Sequence, residues 1–553
     1  MQAVKIIGSG VLSPLGTRVS EVFQRVCKGD RAWREIRQFD ATGFFRKDSG
    51  VLSEEMDALL EEKYPEETRA GAFCCFAGEQ ALQGRGACVR RLLVLASNFG
   101  QMTSRQWCWR ERMDTGVISA ESYAPVSDSA KRIAERLGCV EVVEVTNSCS
   151  SGVVALAVAK DWIASGRAEE ALVIGYDEIS EFSWGGLTAL RTVTSGEMMP
   201  FDARRSGTIF SEGAAAMLLC GENQPGEAQA WLSGCATGNN AFHITAPCVD
   251  GAGSLEVMRG CLADAGLTAE DVSAVVAHAT STVGNDRTEA TALHFLFGET
   301  LPPIVAWKPS LGHALGAAGL MEGVLAVEAM KAGTFPQVQI GQLAEDCAIL
   351  QGMREANAPF TSVLINSAGI GGNNAAVVLT REPCRPEKRR FAVEAREFQR
   401  QESAAGRIAG YQDPAEQRLV TALREMLQEE TRNTRRGIVV YSRYGCLKSS
   451  WDFYAGLVRN GPRRASPMVF PHSYTNMPGC LAAITFGCAG PHATFTGGEN
   501  GERAAECFAQ ERIADGTADE MVLICLEEPF AMALPDGLDV QRRCEVRCFG
   551  RKR

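Results

Sequence analysis

The chain has 553 residues, 45% hydrophobic and 22% charged, with a net charge of −11. That length suits roughly three to four domain-sized units, or fewer large ones. The acidic balance argues against a general nucleic-acid binder, while leaving room for a local basic patch that docks an acidic protein. The 20 cysteines include no C-x-x-C and no zinc spacing. The start, MQAVKIIGSG, lacks the regions of a signal peptide, and no run has the roughly 18 apolar residues of a membrane helix. The expectation is a cytoplasmic protein without a membrane span, with reduced and mostly buried thiols.

In chain order, the runs at 3–10, 91–98, 170–178, 214–220, 272–280, 362–369 and 374–380 read as buried strands. Helical patterns lie between them at 152–166, 254–266 and 319–333, each ending on a glycine placed as a C-cap: Gly166, Gly266 and Gly333. Such alternation implies an α/β fold with covered sheets. From 382 to about 434 the chain turns polar and helix-prone, which reads as a charged linker followed by a surface helix. Residues 435–553 return to the earlier pattern and repeat it. At one fixed offset Gly166 falls on Gly516, Ala168 on Ala518, Glu170 on Glu520 and Glu178 on Glu528. The same offset puts Ser148 on Gly498 and Cys149 on Glu499.

Cys149 lies in TNSCSSG, just before a helix. A helix N-terminus lowers a thiol's pKa, and the thiolate is the nucleophile. Alone, a cysteine before a helix is most often a buried core residue. Three further clusters shift that balance. His278 follows a strand and precedes Thr280, Thr282, Asp286 and Glu289; Lys308 follows another strand, with His313 five residues on and Glu322 in the next helix; and Ile370 lies in a glycine-rich turn between two strands. Loops at strand ends are where α/β sites gather.

These motifs, NSCSSG, NNAFHITAP, AHATSTVGND, KPSLGHALGAAGLME and NSAGIGGNNAAVVL, occur in the order found in β-ketoacyl-[acyl-carrier-protein] synthases of the elongating type, which residues 1–381 resemble. The resemblance implies a thiolase-like αβαβα layered fold working as a homodimer, or as a heterodimer with another ketosynthase-like subunit. It implies a catalytic set of Cys149, His278, His313 and Lys308, with Glu322 and Asp286 in support. The amides of Cys149 and Ile370 would form the oxyanion hole, and Ile370 stands where the family usually has a phenylalanine gate. Thr280 and Thr282 would bind the phosphopantetheine arm of acyl carrier protein, with no metal and no resident cofactor. Ala279 and Ser211 replace glycines usual in the family; the first reads as a mild change. Residues 435–553 resemble the first half of a second ketosynthase without catalytic residues, similar to a chain-length factor. They would either bound the acyl tunnel or serve only as a stabilising remnant. A non-catalytic scaffold and a malonyl decarboxylase remain as competing readings.

Overall fold

The apolar runs become strands, and their neighbours decide how far each extends. A computed structural model describes residues 2–86, 88–356, 359–387, 390–400, 410–424, 426–427, 432–497, 499–538 and 541–552. Among these residues the strands are β1 (Val4–Leu12), β2 (Arg34–Glu35), β3 (Asp48–Ser49), β4 (Arg91–Ala96), β5 (Glu141–Val145), β6 (Glu170–Asp177), β7 (Gly213–Gly221), β8 (Ala230–Asn239), β9 (Ala274–Val276), β10 (Ile304–Val305), β11 (Ser362–Gly369), β12 (Asn373–Thr380), β13 (Val393–Arg400), β14 (Arg436–Tyr441), β15 (His492–Thr496), β16 (Glu520–Glu527) and β17 (Arg543–Arg551). β2 and β3 pair with each other; the other 15 form one mixed sheet in the order β10-β9-β11-β12-β8-β1-β7-β6-β4-β5-β15-β14-β16-β17-β13.

Helices Ser151–Ala164 and Ala318–Ala332 are buried along most of their length and pack on each other between the two halves of the first unit's strands. Helix Arg69–Ala81 covers β1, β6 and β7 from outside, and helix Ala252–Ala265 covers β8, β11 and β12. Five alternating layers of helix and sheet result, each burying its apolar face against the next. Gly166, Gly266 and Gly333 adopt left-handed φ of 76°, 69° and 67° at the ends of their helices.

The middle of the sheet shows how the repeat is used. β5-β4-β6-β7-β1 on one side is mirrored by β15-β14-β16-β17-β13 on the other. β5 and β15 meet antiparallel, with Val145 opposite Phe495 and Glu144 opposite Thr496; the Thr146 N–H donates to Thr494 O at 2.9 Å. Val145 and Phe495 are related by the offset that relates Gly166 to Gly516, so a pseudo-two-fold axis passes between them. One chain thus holds the isologous type of contact that two subunits ordinarily make. Gly185 and Gly186 admit the second unit closely: a Cβ at Gly186 would lie 1.9 Å from the Phe470 ring, and one at Gly185 would lie 2.6 Å from Leu457.

The 382–434 segment differs from expectation. β13 lies inside it and joins the second half-sheet by pairing with β17. The helix expected on the surface, Pro414–Arg424, is buried at Ala415, Glu416, Leu419, Ala422 and Leu423 and packs on helix Met477–Phe486. Its charged residues read as solvated because their partners are distant in sequence. Glu416 Oε1 lies 2.8 Å from His472 Nδ1, and Arg418 Nε donates to Glu528 Oε2 at 2.5 Å. Residues 401–409 and 428–431 of this segment lie outside the described residues.

Candidate active site

Cys149 occupies the turn from β5 into helix Ser151–Ala164. Ser148 beside it has φ 53°, a left-handed backbone costing on the order of 1–2 kcal/mol for a residue with a side chain. Neighbouring bonds sustain it. Ser151 Oγ donates to Ser148 O at 2.6 Å and accepts from the Asn147 N–H at 2.8 Å, and Ser367 Oγ donates to Cys149 O at 3.2 Å. The second unit grips the same turn: the Thr494 N–H donates to Asn147 Oδ1 at 2.8 Å, and Asn147 Nδ2 lies 3.4 Å from His492 Nδ1. Asp177, at the end of β6, accepts from Ser97 Oγ at 2.7 Å and from the N–H groups of Asn98 at 2.8 Å, Phe99 at 3.1 Å and Gly316 at 2.7 Å.

His278 follows β9 in a loop where Ala279 and Ser281 take φ of 43° and 65°. The change at Ala279 is therefore not mild, because its Cβ sits on a left-handed backbone that glycine adopts without strain. Buried carboxylates hold the loop. Glu289 accepts from the N–H groups of His278 at 2.6 Å and Ala279 at 2.7 Å and from Asn366 Nδ2 at 2.7 Å. Asp286 accepts from the N–H groups of Ser281 at 3.1 Å and Phe201 at 2.9 Å. The hydroxyls of Thr280 and Thr282 lie 2.9 Å apart, and Thr282 makes no side-chain cap to the helix that follows.

His313 is fixed through its backbone, its N–H donating to Ile209 O at 2.8 Å and its carbonyl accepting from the Ser211 N–H at 2.9 Å. Its ring stacks on Phe210 at 5.5 Å and meets His278 edge to face, centroids 5.4 Å apart at 87°. Ser211 is accommodated because two partners lack side chains: a Cβ on Gly50 or Gly312 would lie 2.4 or 2.6 Å from the Ser211 Cβ. Lys308 Nζ donates to Glu322 Oε1 at 2.7 Å, both side chains 2% exposed. Burial pushes the Glu322 carboxyl up to about 7, against the pull of Lys308.

Fields and burial set the protonation of the cluster. Burial, then the Lys308 ammonium, hold His278 and His313 well below the usual imidazole range, so both rings are neutral near pH 7. Cys149 goes against the expectation of a lowered pKa: burial, helped by the Asp177 carboxylate, pushes its thiol up to about 12, against the opposing Lys308 and the Cys149 amide. The helix begins two residues later, at Ser151, and its partial charge is outweighed by the loss of water around a thiolate. Alkylation of Cys149 by iodoacetamide, followed by peptide mass mapping, is expected to rise about tenfold per pH unit from pH 7 to 10. A rate that levels off near neutrality would contradict a protonated resting thiol.

The glycine-rich turn approaches Cys149 through Ser148. Ser148 Oγ donates to Ile370 O at 3.0 Å, Asn373 Nδ2 donates to the same carbonyl at 2.8 Å, and the Gly371 N–H donates to Ile244 O at 2.8 Å. The Ile370–Gly371 peptide is therefore clamped at both ends. Sequence reasoning gave no role to Asp177 and Phe210, nor to Asn366 and Asn373 inside the quoted NSAGIGGNNAAVVL motif, and it missed the second unit's contributions to the Cys149 turn.

Models of the N-terminal and C-terminal domains of β-ketoacyl synthase match residues 113–224 and 229–340. Nodulation protein E of Rhizobium meliloti (strain 1021) is 30% identical over 358 residues, spanning 60% of this chain and 87% of that protein. The chain belongs to the β-ketoacyl synthase family. It is an acyltransferase-type enzyme. The synthase is also 27% identical over 413 residues to the 3-oxoacyl-[acyl-carrier-protein] synthase 2 of Coxiella burnetii, covering 68% of this chain and 98% of that one. Among solved structures, the ishigamide ketosynthase/chain length factor aligns with TM-score 0.63 and 25% identity over 69% of the synthase and 99% of that chain. The PfaC keto synthase–chain length factor aligns with TM-score 0.78 over 100% of the synthase and 78% of that chain. At 14% identity that likeness bears on fold alone, and it extends the thiolase-like architecture across both units.

Proposed function

We propose that the synthase performs decarboxylative Claisen condensation of an acyl thioester with malonyl-[acyl-carrier-protein], through an acyl group on Cys149, in fatty acid, aryl polyene or polyketide synthesis. The observation that carries this reading is the convergence of the Cys149 turn, the paired imidazoles of His278 and His313, and the buried Lys308, whose charge reaches all three. Cys149 sulfur attacks the acyl thioester, its proton leaves with the departing phosphopantetheine thiol, and a new thioester remains on the enzyme. The amides of Cys149 and Ile370 hold the oxyanion of that step. His278 and His313, neutral, donate hydrogen bonds to the malonyl thioester oxygen as its carboxylate leaves as carbon dioxide; the electron pair left behind forms an enolate. The enolate carbon bonds to the acyl carbon, the bond to Cys149 breaks, and the thiolate regains a proton. Lys308, paired with Glu322, orients the pocket, Asp286 and Glu289 hold the His278 loop, and Thr280 and Thr282 meet the phosphopantetheine arm.

Residues 1–381 form the condensing unit in this reading, and a second unit that begins at β13 takes the place of a partner subunit. Between them lies a cleft of about 1080 Å³ whose walls include Asn98, Phe99 and Thr146 of the first unit and Tyr444, Leu447 and Thr475 of the second. Cys149, His278, His313 and Ile370 do not line it; in this reading the acyl chain on Cys149 extends past Thr146 to reach it, and the second unit bounds the chain's length. Acyl carrier protein delivers the substrates, and the enzyme works in the cytoplasm; among the described residues no helix is long and apolar enough to cross a membrane. The test is incubation with acyl-loaded carrier protein followed by intact mass measurement. Wild type is expected to gain one acyl group and Cys149→Ala none, and malonyl carrier protein is expected to convert the loaded form to a β-ketoacyl product. Failure of wild type to take up any chain length would refute the reading.

A further inference from the structure

The Ile370 turn is tied to the second unit by a closed ring of hydrogen bonds. Ser148 Oγ lies 3.0 Å from Ile370 O and 3.3 Å from Asn476 Oδ1; Asn373 Nδ2 reaches Ile370 O at 2.8 Å and Cys480 Sγ at 3.3 Å; and Asn476 Nδ2 closes the ring on Cys480 Sγ at 3.3 Å. Ser148, Asn373, Asn476 and Cys480 are all essentially without solvent exposure. Cys480 also fits against the backbone of the turn, since a Cβ on Gly371, at φ 88°, would lie 2.5 Å from its sulfur. Asn476 and Cys480 stand at the start of helix Met477–Phe486, which otherwise packs on the second unit's own sheet and helices.

The Ser148 hydroxyl has one proton and two acceptors in reach. When it donates to Ile370 O it adds a second bond to that carbonyl; when it donates to Asn476 Oδ1 the Ile370 carbonyl keeps the Asn373 bond alone. A buried hydroxyl left without an acceptor is destabilising. Asn476 removes that cost from any movement of the turn that admits an acyl chain. We propose that Asn476 and Cys480 are positioning residues through which the second unit sets the placement and release of the Ile370 turn beside Cys149. This rests on Cys149 being the acylated nucleophile.

The test is the single-turnover rate of Cys149 acylation from acyl carrier protein, read by intact mass, together with kcat and KM for malonyl carrier protein. Asn476→Ala is expected to slow acylation about tenfold with KM unchanged, because placement of reacting groups is lost while the docking surface is untouched. Cys480→Ser, which keeps an acceptor for Asn373, is expected to stay near wild type, and Cys480→Ala to fall with Asn476→Ala. In a Ser148→Ala background, Asn476→Ala is expected to add less than about a factor of two, since the shared bond is already gone. If Asn476→Ala does not fold, Asn476→Ser is measured in both backgrounds. Wild-type acylation rates in Asn476→Ala, or full multiplication of the two effects in the double variant, would overturn the assignment. No acylation of wild type itself would instead refute Cys149 as the nucleophile.

Discussion

Replacing His278 or His313 by alanine is expected to slow decarboxylation of malonyl carrier protein by about 10²–10³-fold, the usual loss when one preorganised donor to a developing oxyanion is removed. Cys149→Ala is expected to abolish condensation yet keep decarboxylation, because the thiol takes no part in forming the enolate. The two imidazoles lie 5.4 Å apart, each anchored by its own loop, so one thioester oxygen can receive both donors. Because both rings are held well below the usual imidazole range, they stay neutral as pH rises through 6 to 8, each keeping the one N–H it donates. The imidazoles are therefore expected to add no pH dependence there and to alter the rate only at lower pH as the rings charge, and a change between pH 6 and 8 is assigned to the Glu322 carboxyl, pushed up to about 7 by burial. Release of labelled carbon dioxide measures both effects. A His278→Ala or His313→Ala enzyme that decarboxylates at the wild-type rate would remove that residue from the mechanism.

Removing residues 382–553 is expected to destroy the folded state of the synthase. The deletion unpairs the β5 edge, and an exposed strand edge is a template for association. It also strips an aromatic cluster that spans both units: Phe99 and Phe182 pack on Phe470 at 6.1 and 5.7 Å, and Trp109 packs on Trp451 at 6.1 Å. Asp161, partly exposed on the first unit, would also lose the Arg512 guanidinium that donates to it at 2.5 Å. Size-exclusion chromatography with light scattering is expected to show aggregate, or a homodimer joined through two copies of β5. A truncated chain that stays monomeric, folded and active with the same product lengths would show that the second unit neither completes the fold nor bounds the acyl cleft.

Much of this was legible in the linear order of residues. Each strand expected from an apolar run in 1–381 is a strand, since continuous burial leaves a local pattern that needs no partner to be read. β5 escaped because Glu141 and Glu144 interrupt its apolar run, although it is the strand on which the two halves meet. The repeat fixed which residues correspond, and the motifs singled out Cys149, His278, His313, Lys308 and Ile370 as candidates. The sequence could not show that β13, inside a charged segment, completes the second half-sheet, because charge reads as solvated until distant partners such as Glu528 for Arg418 are in place. Nor could it set the protonation of Cys149, where the local helix terminus favours the thiolate and burial by distant segments overrides it. The residues by themselves determined the family this chain belongs to and the repeat it contains. Only the tertiary structure decided where that unit sits and which of its side chains reach the Cys149 turn, because desolvation and cross-unit hydrogen bonds depend on segments hundreds of residues apart.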